Sequence, residues 1–353
     1  MMRRFLSPQS IQPRVIFSGI QPTGVPHLGN YVGALRQWVQ RQHEEPESTR
    51  LLYSIVDLHA ITIPQKPEAL RRAKREALAS LLAIGIDPKR CTLFYQSDVA
   101  AHAELMWILS CTASVGYLSR MTQWKSKLSL ADSSRLGDGR VGNKLKLGLF
   151  SYPVLQAADI LVHRATHVPV GHDQQQHLEF ARECVTNFNH AYGPHLVYPD
   201  IIISPVRRVM SLTEPTSKMS KSHPQERSRI LLTDNAETIH TKISSALTDS
   251  IPGISYDVDA RPGISNLLDI FSIFNHEGKS ATELAAVFRE ARPRELKAAV
   301  SEAVIKGMDG IAQRYEKLLE DPGYLDQVAA EGGKKARQSA DETMHLVREA
   351  MGM

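Results

Sequence analysis

A short apolar run, Val15-Ile16-Phe17-Ser18-Gly19, feeds straight into a loop carrying Pro22, Gly24, Pro26 and Gly29, and the loop feeds into a helical pattern through Tyr31, Leu35 and Trp38. A parallel sheet turns in this order at the carboxyl end of a strand. Glycines let the backbone approach a ligand, and the helix start offers unpaired N–H groups to an anion. The order recurs. Leu51–Val56, Cys91–Tyr95 and His167–Val170 read as strands, and His102–Ser110, Val154–Val162 and Gln174–Phe188 as helices. Pro67–Ile84 is the clearest helix, with Leu70, Ala73, Ala77, Leu81 and Ile84 on one face, Pro67 in the first turn and Gly85 at the stop. Such alternation predicts an α/β fold, a doubly wound parallel sheet that binds ligands where its winding switches direction.

After Thr233 the pattern changes. Ala236–Leu247, Asn266–Phe274, Ala281–Ala291, Leu296–Leu319 and Ala329–Met351 read as helices, with no convincing strand among them. Three segments are expected: a basic arm over 1–13, a Rossmann-like domain over 14–232 and a helical domain over 233–353. The 42% hydrophobic content suffices for a real core at this length. Leu128–Lys146 is polar, basic and glycine-bearing, and reads as an exposed loop or lid.

Charge and cysteines narrow the chemistry. A net charge of only +4 places any nucleic-acid surface in local clusters. Cys91, Cys111 and Cys184 are far apart and odd in number, which argues against a disulfide framework or a zinc site, so no protein-held metal is expected. No apolar run approaches the ~18 residues of a membrane span. The N-terminus carries Arg3, Arg4 and Arg14 with Ser7 and Ser10 and no acidic residue before Glu44, the composition of an organelle presequence or of a basic arm.

Two segments carry chemistry. In Pro22-Thr23-Gly24-Val25-Pro26-His27-Leu28-Gly29-Asn30 the side chains of His27 and Asn30 are candidate donors to a triphosphate; an ordinary helix-entry turn would look similar. Lys218-Met219-Ser220-Lys221-Ser222 puts two lysines and two serines on a polar loop able to close on a pyrophosphate leaving group. Generic text of this kind is usually solvated surface, but this pentapeptide is the second signature of class I aminoacyl-tRNA synthetases, and it follows the first segment in the right order.

With both segments in view, the chain resembles the tryptophanyl-tRNA synthetases of bacterial and mitochondrial type. The likeness extends through Phe17–Gly24, His27–Tyr31, Gly33–Gln37, Val56–Thr62, Arg120–Gln123, Tyr152–Leu161, Val168–Gln174, Ala246–Ser250 and Pro262–Leu268. It implies tryptophan activation by ATP with Mg²⁺, transfer to tRNA(Trp), a homodimer, an anticodon-binding helical domain, and no role for DNA or membrane. It also implies residue roles. Gln21, Pro22, Thr23, His27, Gly29 and Asn30 would line the ATP phosphates and ribose; Gly171, His172, Asp173 and Val209 would hold the adenosine end. Lys218, Met219, Ser220, Lys221 and Ser222 would close on the β- and γ-phosphates, assisted by Lys125 and Lys127. Asn30, Lys127, Lys218 and Lys221 are the expected catalytic groups. Tryptophan would meet Asp159 at its indole N–H, Tyr152 and Gln174 at its amino group, and Phe17 and His59 in the pocket.

Elementary chemistry agrees at Asp159. An indole needs one acceptor among apolar walls, and Ala157-Ala158-Asp159-Ile160-Leu161 offers that; a structural ion pair is the alternative. Three departures from bacterial members, His172, Gln156 and the long 128–146 loop, favour the mitochondrial matrix over a bacterial cytoplasm. Rival functions are tyrosyl-tRNA synthetase, a small-molecule nucleotidylyltransferase and a non-catalytic RNA-binding relative.

Overall fold

The computed structural model describes residues 13–128, 145–171, 174–203, 208–221 and 223–353. The expectations for the basic arm before Pro13, for most of the 128–146 loop and for His172, Asp173 and Ser222 fall outside the described residues.

Five strands make one parallel sheet in the order β3-β2-β1-β4-β5: β1 Val15–Ile20, β2 Arg50–Ile55, β3 Thr92–Tyr95, β4 His167–Val170 and β5 Asp200–Ile203. β1 is central. It pairs with β2 from Val15↔Arg50 to Ile20↔Ile55, and with β4 at Ile16↔His167. Winding therefore reverses between β1 and β4, the doubly wound order expected. Alternate side chains enter opposite layers. Ile16, Leu51, Tyr53, Ile55 and Leu93 face one, and Val15, Phe17, Leu52, Phe94 and Val168 the other. Both faces are covered, which is why the strands read as nearly unbroken apolar runs.

β5 went unread in the sequence, being a four-residue strand at the sheet's edge. Elsewhere the elements match expectation with shifted ends. α1 (Arg36–Glu44) is entered through a turn at Leu28–Asn30 and a π-turn at Tyr31–Leu35. α2 is Pro67–Ala83, α3 Ala101–Ser110 and α4 Val115–Arg120. α5 runs Leu147–Leu161, starting upstream of its expected start, and keeps Pro153 inside it. α6 is Gln175–Tyr192.

The segment after Thr233 is helical throughout: α7 Ala236–Ser244, α8 Pro262–Phe274, α9 Ala281–Val287, α10 Pro293–Gly307, α11 Ile311–Glu320 and α12 Pro322–Met351. The single helix expected over Leu296–Leu319 is two, because Gly310 takes a left-handed φ of 73° between them. α12 does not stay with its neighbours. Its Leu325, Val328 and Ala329 join the layer of α1, α2 and α7–α11. Its Ala336, Ala340, Met344 and Val347 join the opposite layer, with α3, α5 and α6. Between them Gly332 lies against β3 so closely that a Cβ there would sit 1.6 Å from the Leu93 carbonyl oxygen. α12 thus runs along edge strand β3 and covers it. No helix among the described residues is long and apolar enough to cross a membrane.

Candidate active site

A cleft of about 360 Å³ opens at the carboxyl ends of β1 and β4, where the winding reverses. β1 and the loop after it supply Phe17, Ser18, Gly19 and Gln21; β4 and its loop supply Val168, Val170, Gly171 and Gln174. α5 contributes Tyr152, Gln156 and Asp159 on successive turns of one face, and the turn after β2 contributes Val56 and His59. The π-turn before α1 presents Gly33 and Ala34 to the same space. Such turns insert one residue into a helix and re-aim those around it.

At one end of the cleft Asp159 is 1% exposed. Gln96 Nε2 and His102 Nδ1 donate to its Oδ1 at 2.6 and 2.7 Å, and His59 Nε2 donates to Oδ2 at 2.7 Å. Burial alone would raise this carboxyl's pKa. The adjacent His59 and His102 outweigh burial and hold it well below the usual carboxylate range, so it is an anion. Nearby, the Tyr152 hydroxyl lies 2.8 Å from His177 Nε2, and Gln156 Nε2 donates to Gln174 Oε1 at 3.3 Å. Lys127 places its ammonium 4.7 Å from the centre of the Tyr152 ring, and burial lowers its pKa. Lys125, expected at the edge of a polar loop, is instead buried beside Trp124.

The other predicted residues gather where the loop after β1 meets the lysine-serine segment. His27 and Asn30 cap the helix entry reciprocally: Asn30 N donates to His27 Nδ1 and His27 N to Asn30 Oδ1, both at 3.2 Å. With Nδ1 accepting, the ring carries its proton on Nε2. Burial and then the charges of Lys221, Lys218 and Arg229 push its pKa down to about 4, so it is a neutral donor at physiological pH. Lys221 Nζ donates to the Gly24 carbonyl at 2.7 Å and to Thr23 Oγ1 at 3.1 Å, and burial lowers its pKa to about 8. Met219 is buried, and a Cβ on Gly29 would lie 3.0 Å from His27 Cε1 and 3.1 Å from its Nδ1, so the glycine makes room for that ring. Met219 N donates to the Val209 carbonyl at 3.1 Å, and Met210 bridges Lys218. The segment is therefore one arm of a hairpin, which also carries Ser220.

The family model of tRNA synthetases class I (W and Y) matches residues 10–308. The chain belongs to this family of class I synthetases. It is 44% identical over 345 residues to the mitochondrial tryptophan–tRNA ligase of Schizosaccharomyces pombe, covering 96% of this chain and 95% of the relative. It is 43% identical over 340 residues to the tryptophan–tRNA ligase of Bacillus anthracis, covering 96% and 98%. Among solved structures it superposes on tryptophanyl-tRNA synthetase of Campylobacter jejuni complexed with ADP and tryptophan, with a TM-score of 0.77, 32% identity, and coverage of 96% of this chain and all of that one. The resemblance drawn from the motifs and the doubly wound fold are both borne out.

As a class I synthetase, the chain brings Phe17, Gln21, His59, Lys127, Tyr152, Asp159, Gly171 and Gln174 into one cleft. It sets Thr23, His27, Gly29, Asn30, Val209, Lys218, Met219 and Lys221 around the adjoining loop contact; Pro22 is buried in that loop. Three residues of this synthetase escaped sequence reasoning. Gln96 follows β3 at its carboxyl end, a position that could have marked it. His102 sits on an apolar helix face and gave no signal. Asn266, inside a quoted motif, grips the lysine-serine hairpin: Met210 N donates to its Oδ1 at 2.9 Å and its Nδ2 donates to the Met210 carbonyl at 3.1 Å.

Proposed function

We propose that the chain is a tryptophan–tRNA ligase. It joins tryptophan to ATP as tryptophanyl-adenylate, releasing pyrophosphate, and then passes the tryptophanyl group to the 3′-terminal ribose of tRNA(Trp). The observation that carries this reading is Asp159: an ionised, buried carboxylate lining the cleft together with the apolar side chains of Phe17, Val168 and Val170 and the Tyr152 ring. Such a pocket fits a large apolar ring with one donor, and its unpaired acceptor would reject a ring that lacks the N–H. The full-length likeness to proteins named tryptophan–tRNA ligase supports the same substrate.

In this reading a carboxylate oxygen of tryptophan attacks the ATP α-phosphorus, and the bond to the β,γ-pyrophosphate breaks. Gln174 and Tyr152 orient the amino group. Gln21, Pro22, Thr23 and Gly29 line the phosphates and ribose, and Gly171, His172, Asp173 and Val209 hold the adenosine. His27, through Nε2–H, and Asn30, through its amide N–H, donate to phosphate oxygens. Lys218, Lys221 and Lys127 meet the charge that builds on the leaving group, together with the backbone of Met219 and the hydroxyls of Ser220 and Ser222. Mg²⁺ arrives on the ATP phosphates, as befits a cation that prefers phosphate and water oxygens. The tRNA 2′-hydroxyl then attacks the adenylate carbonyl, and AMP leaves. No covalent enzyme intermediate is required.

Residues 14–232 would form the catalytic domain and 233–353 the domain that meets the anticodon. Exposed Trp107, Val115 and Leu147 lie on α3, α4 and α5 of one layer, and support a homodimer across that face. The basic, acid-free N-terminus supports the mitochondrial matrix.

The test is ATP–pyrophosphate exchange, offering each of the twenty amino acids in turn without tRNA. Exchange with tryptophan alone is expected. Exchange with tyrosine would move the chain to the other branch of its family, and no exchange at all would leave an RNA-binding relative.

A further inference from the structure

The donors on Asp159 can be counted against its capacity. A carboxylate offers about four lone-pair positions. Gln96 and His102 fill both on Oδ1 and His59 fills one on Oδ2, leaving one on Oδ2. Behind this carboxylate the polar chain continues away from the cleft. His102 Nε2 lies 3.3 Å from His163 Nε2, and His163 Nδ1 lies 3.2 Å from Ser339 Oγ on α12. His102, His163 and Ser339 are all buried.

The end of the chain on Asp159 has a fixed direction. Asp159 only accepts, so His102 carries a proton on Nδ1. Burial and the neighbouring His102 hold the pKa of His163 well below the imidazole range, so it has a single N–H. The contact between the two Nε2 atoms needs one proton. Either ring can supply it: with the proton on His163 Nε2 the His163 Nδ1 accepts from the Ser339 hydroxyl, and with it on His102 Nε2 the His163 Nδ1 donates to Ser339 Oγ. In both arrangements His102 Nδ1 donates to Asp159, and none of the three ring nitrogens behind it is left unmatched.

We propose that His102, His163 and Ser339 form a positioning relay that locks the Asp159 carboxylate with a single acceptor aimed at the cleft, and so sets the preference for a substrate ring bearing an N–H. This rests on the reading that Asp159 receives the indole. The relay touches no substrate. It acts by fixing the rotamer and the tautomer that Asp159 faces, and its last member belongs to the C-terminal helix.

The test is a selectivity ratio: kcat/KM in ATP–pyrophosphate exchange for tryptophan over that for β-(3-benzothienyl)alanine, which has sulfur where indole has N–H. His163→Phe is expected to lower the ratio about tenfold, roughly one charge-assisted hydrogen bond. His102→Leu is expected to lower it at least as much. His102→Asn, whose amide can donate where Nδ1–H stood, restores most of it, and KM for ATP stays unchanged in all three. A packing defect alone would not change selectivity for the N–H while sparing ATP. If Asp159→Asn collapses the ratio and the His102 and His163 variants leave it intact, the relay is overturned while the indole assignment stands. If Asp159→Asn leaves it intact, the indole assignment falls and the relay with it. Should the variants not fold, ¹⁵N-histidine NMR of the unaltered protein decides: a proton on His102 Nδ1 and a single N–H on His163 are expected, and a bare His102 Nδ1 overturns the relay.

Discussion

Lys221 rests its ammonium 2.7 Å from the carbonyl oxygen of Gly24, so a lysine of the second motif is held by the backbone of the first. To meet a phosphate it must exchange those carbonyls for phosphate oxygens, which the same short loop can bring to it. Lys221→Ala is expected to lower kcat of ATP–pyrophosphate exchange by about a hundredfold or more, with the KM for tryptophan nearly unchanged. Equal losses in both would count against loop closure. The ammonium, with its pKa near 8, is charged below that pH. In the ligand-free enzyme kcat/KM for ATP should therefore fall as pH rises through about 8, and Lys221→Arg should remove that limb.

Asn266 ties the hairpin to the helical segment through both polar backbone atoms of Met210. Asn266→Leu would leave that N–H and carbonyl without partners, at about 1–3 kcal/mol. Because the hairpin carries Lys218 and Lys221, KM for ATP or kcat should suffer by about tenfold or more while tryptophan binding, measured by fluorescence titration, does not. A variant with normal ATP kinetics would show that the hairpin holds its place unaided.

Gly332→Ala places a Cβ where the Leu93 carbonyl already lies. Backbone cannot swing aside as a side chain does, so α12 should lift from β3 at a cost of about 4 kcal/mol or more. Gly323→Ala, near the start of the same helix with its nearest neighbour, Asp321 Oδ1, at 3.6 Å, should stay within about 1 kcal/mol of the parent or stabilise it. Thermal melts of the pair separate steric exclusion from helix propensity.

His27 gives the fold an acid-sensitive point. Unfolded, its ring takes a proton near pH 6.5; folded, it resists until about pH 4. Between those values the unfolded chain binds more protons, so stability rises with pH across that window and is lost on acidification. His27→Asn keeps an acceptor at the cap and should flatten this rise in urea unfolding at about pH 5 and about pH 7.

Trp107 is 72% exposed and Leu147 78% exposed, on helices that pack against each other. Trp107→Glu should shift a homodimer toward monomer in sedimentation. An unchanged mass would place any self-association elsewhere.

The sequence carried the sheet well where a strand had neighbours on both faces, as at Val15–Ile20, because burial on two sides leaves an apolar run with few interruptions. β5 was missed since an edge strand of four residues has too little pattern to separate it from a loop. The helix read as starting at Val154 begins instead at Leu147, because packing of Leu149 and Tyr152 holds the turn before Pro153. At the site, residues with a chemical reason to face a ligand were legible one by one. Partners from distant elements were not: the three donors on Asp159 come from positions 59, 96 and 102, and only the folded sheet brings them together. The return of α12 to β3 was equally invisible, since Gly332 looks like an interruption of a helix until the strand it admits is in place.

That return has a consequence for how the protein is made. Arg337 reaches the Asp98 carbonyl across 239 residues of chain, and one layer over the sheet lacks Ala336, Ala340, Met344 and Val347 until the final helix exists. A nascent chain leaving the ribosome would hold β3 as an open edge from its own synthesis until α12 emerges, exposed to pairing with other strands and in need of sheltering by chaperones. Closure of the sheet edge then waits on α12, and deleting that helix would yield a defective sheet.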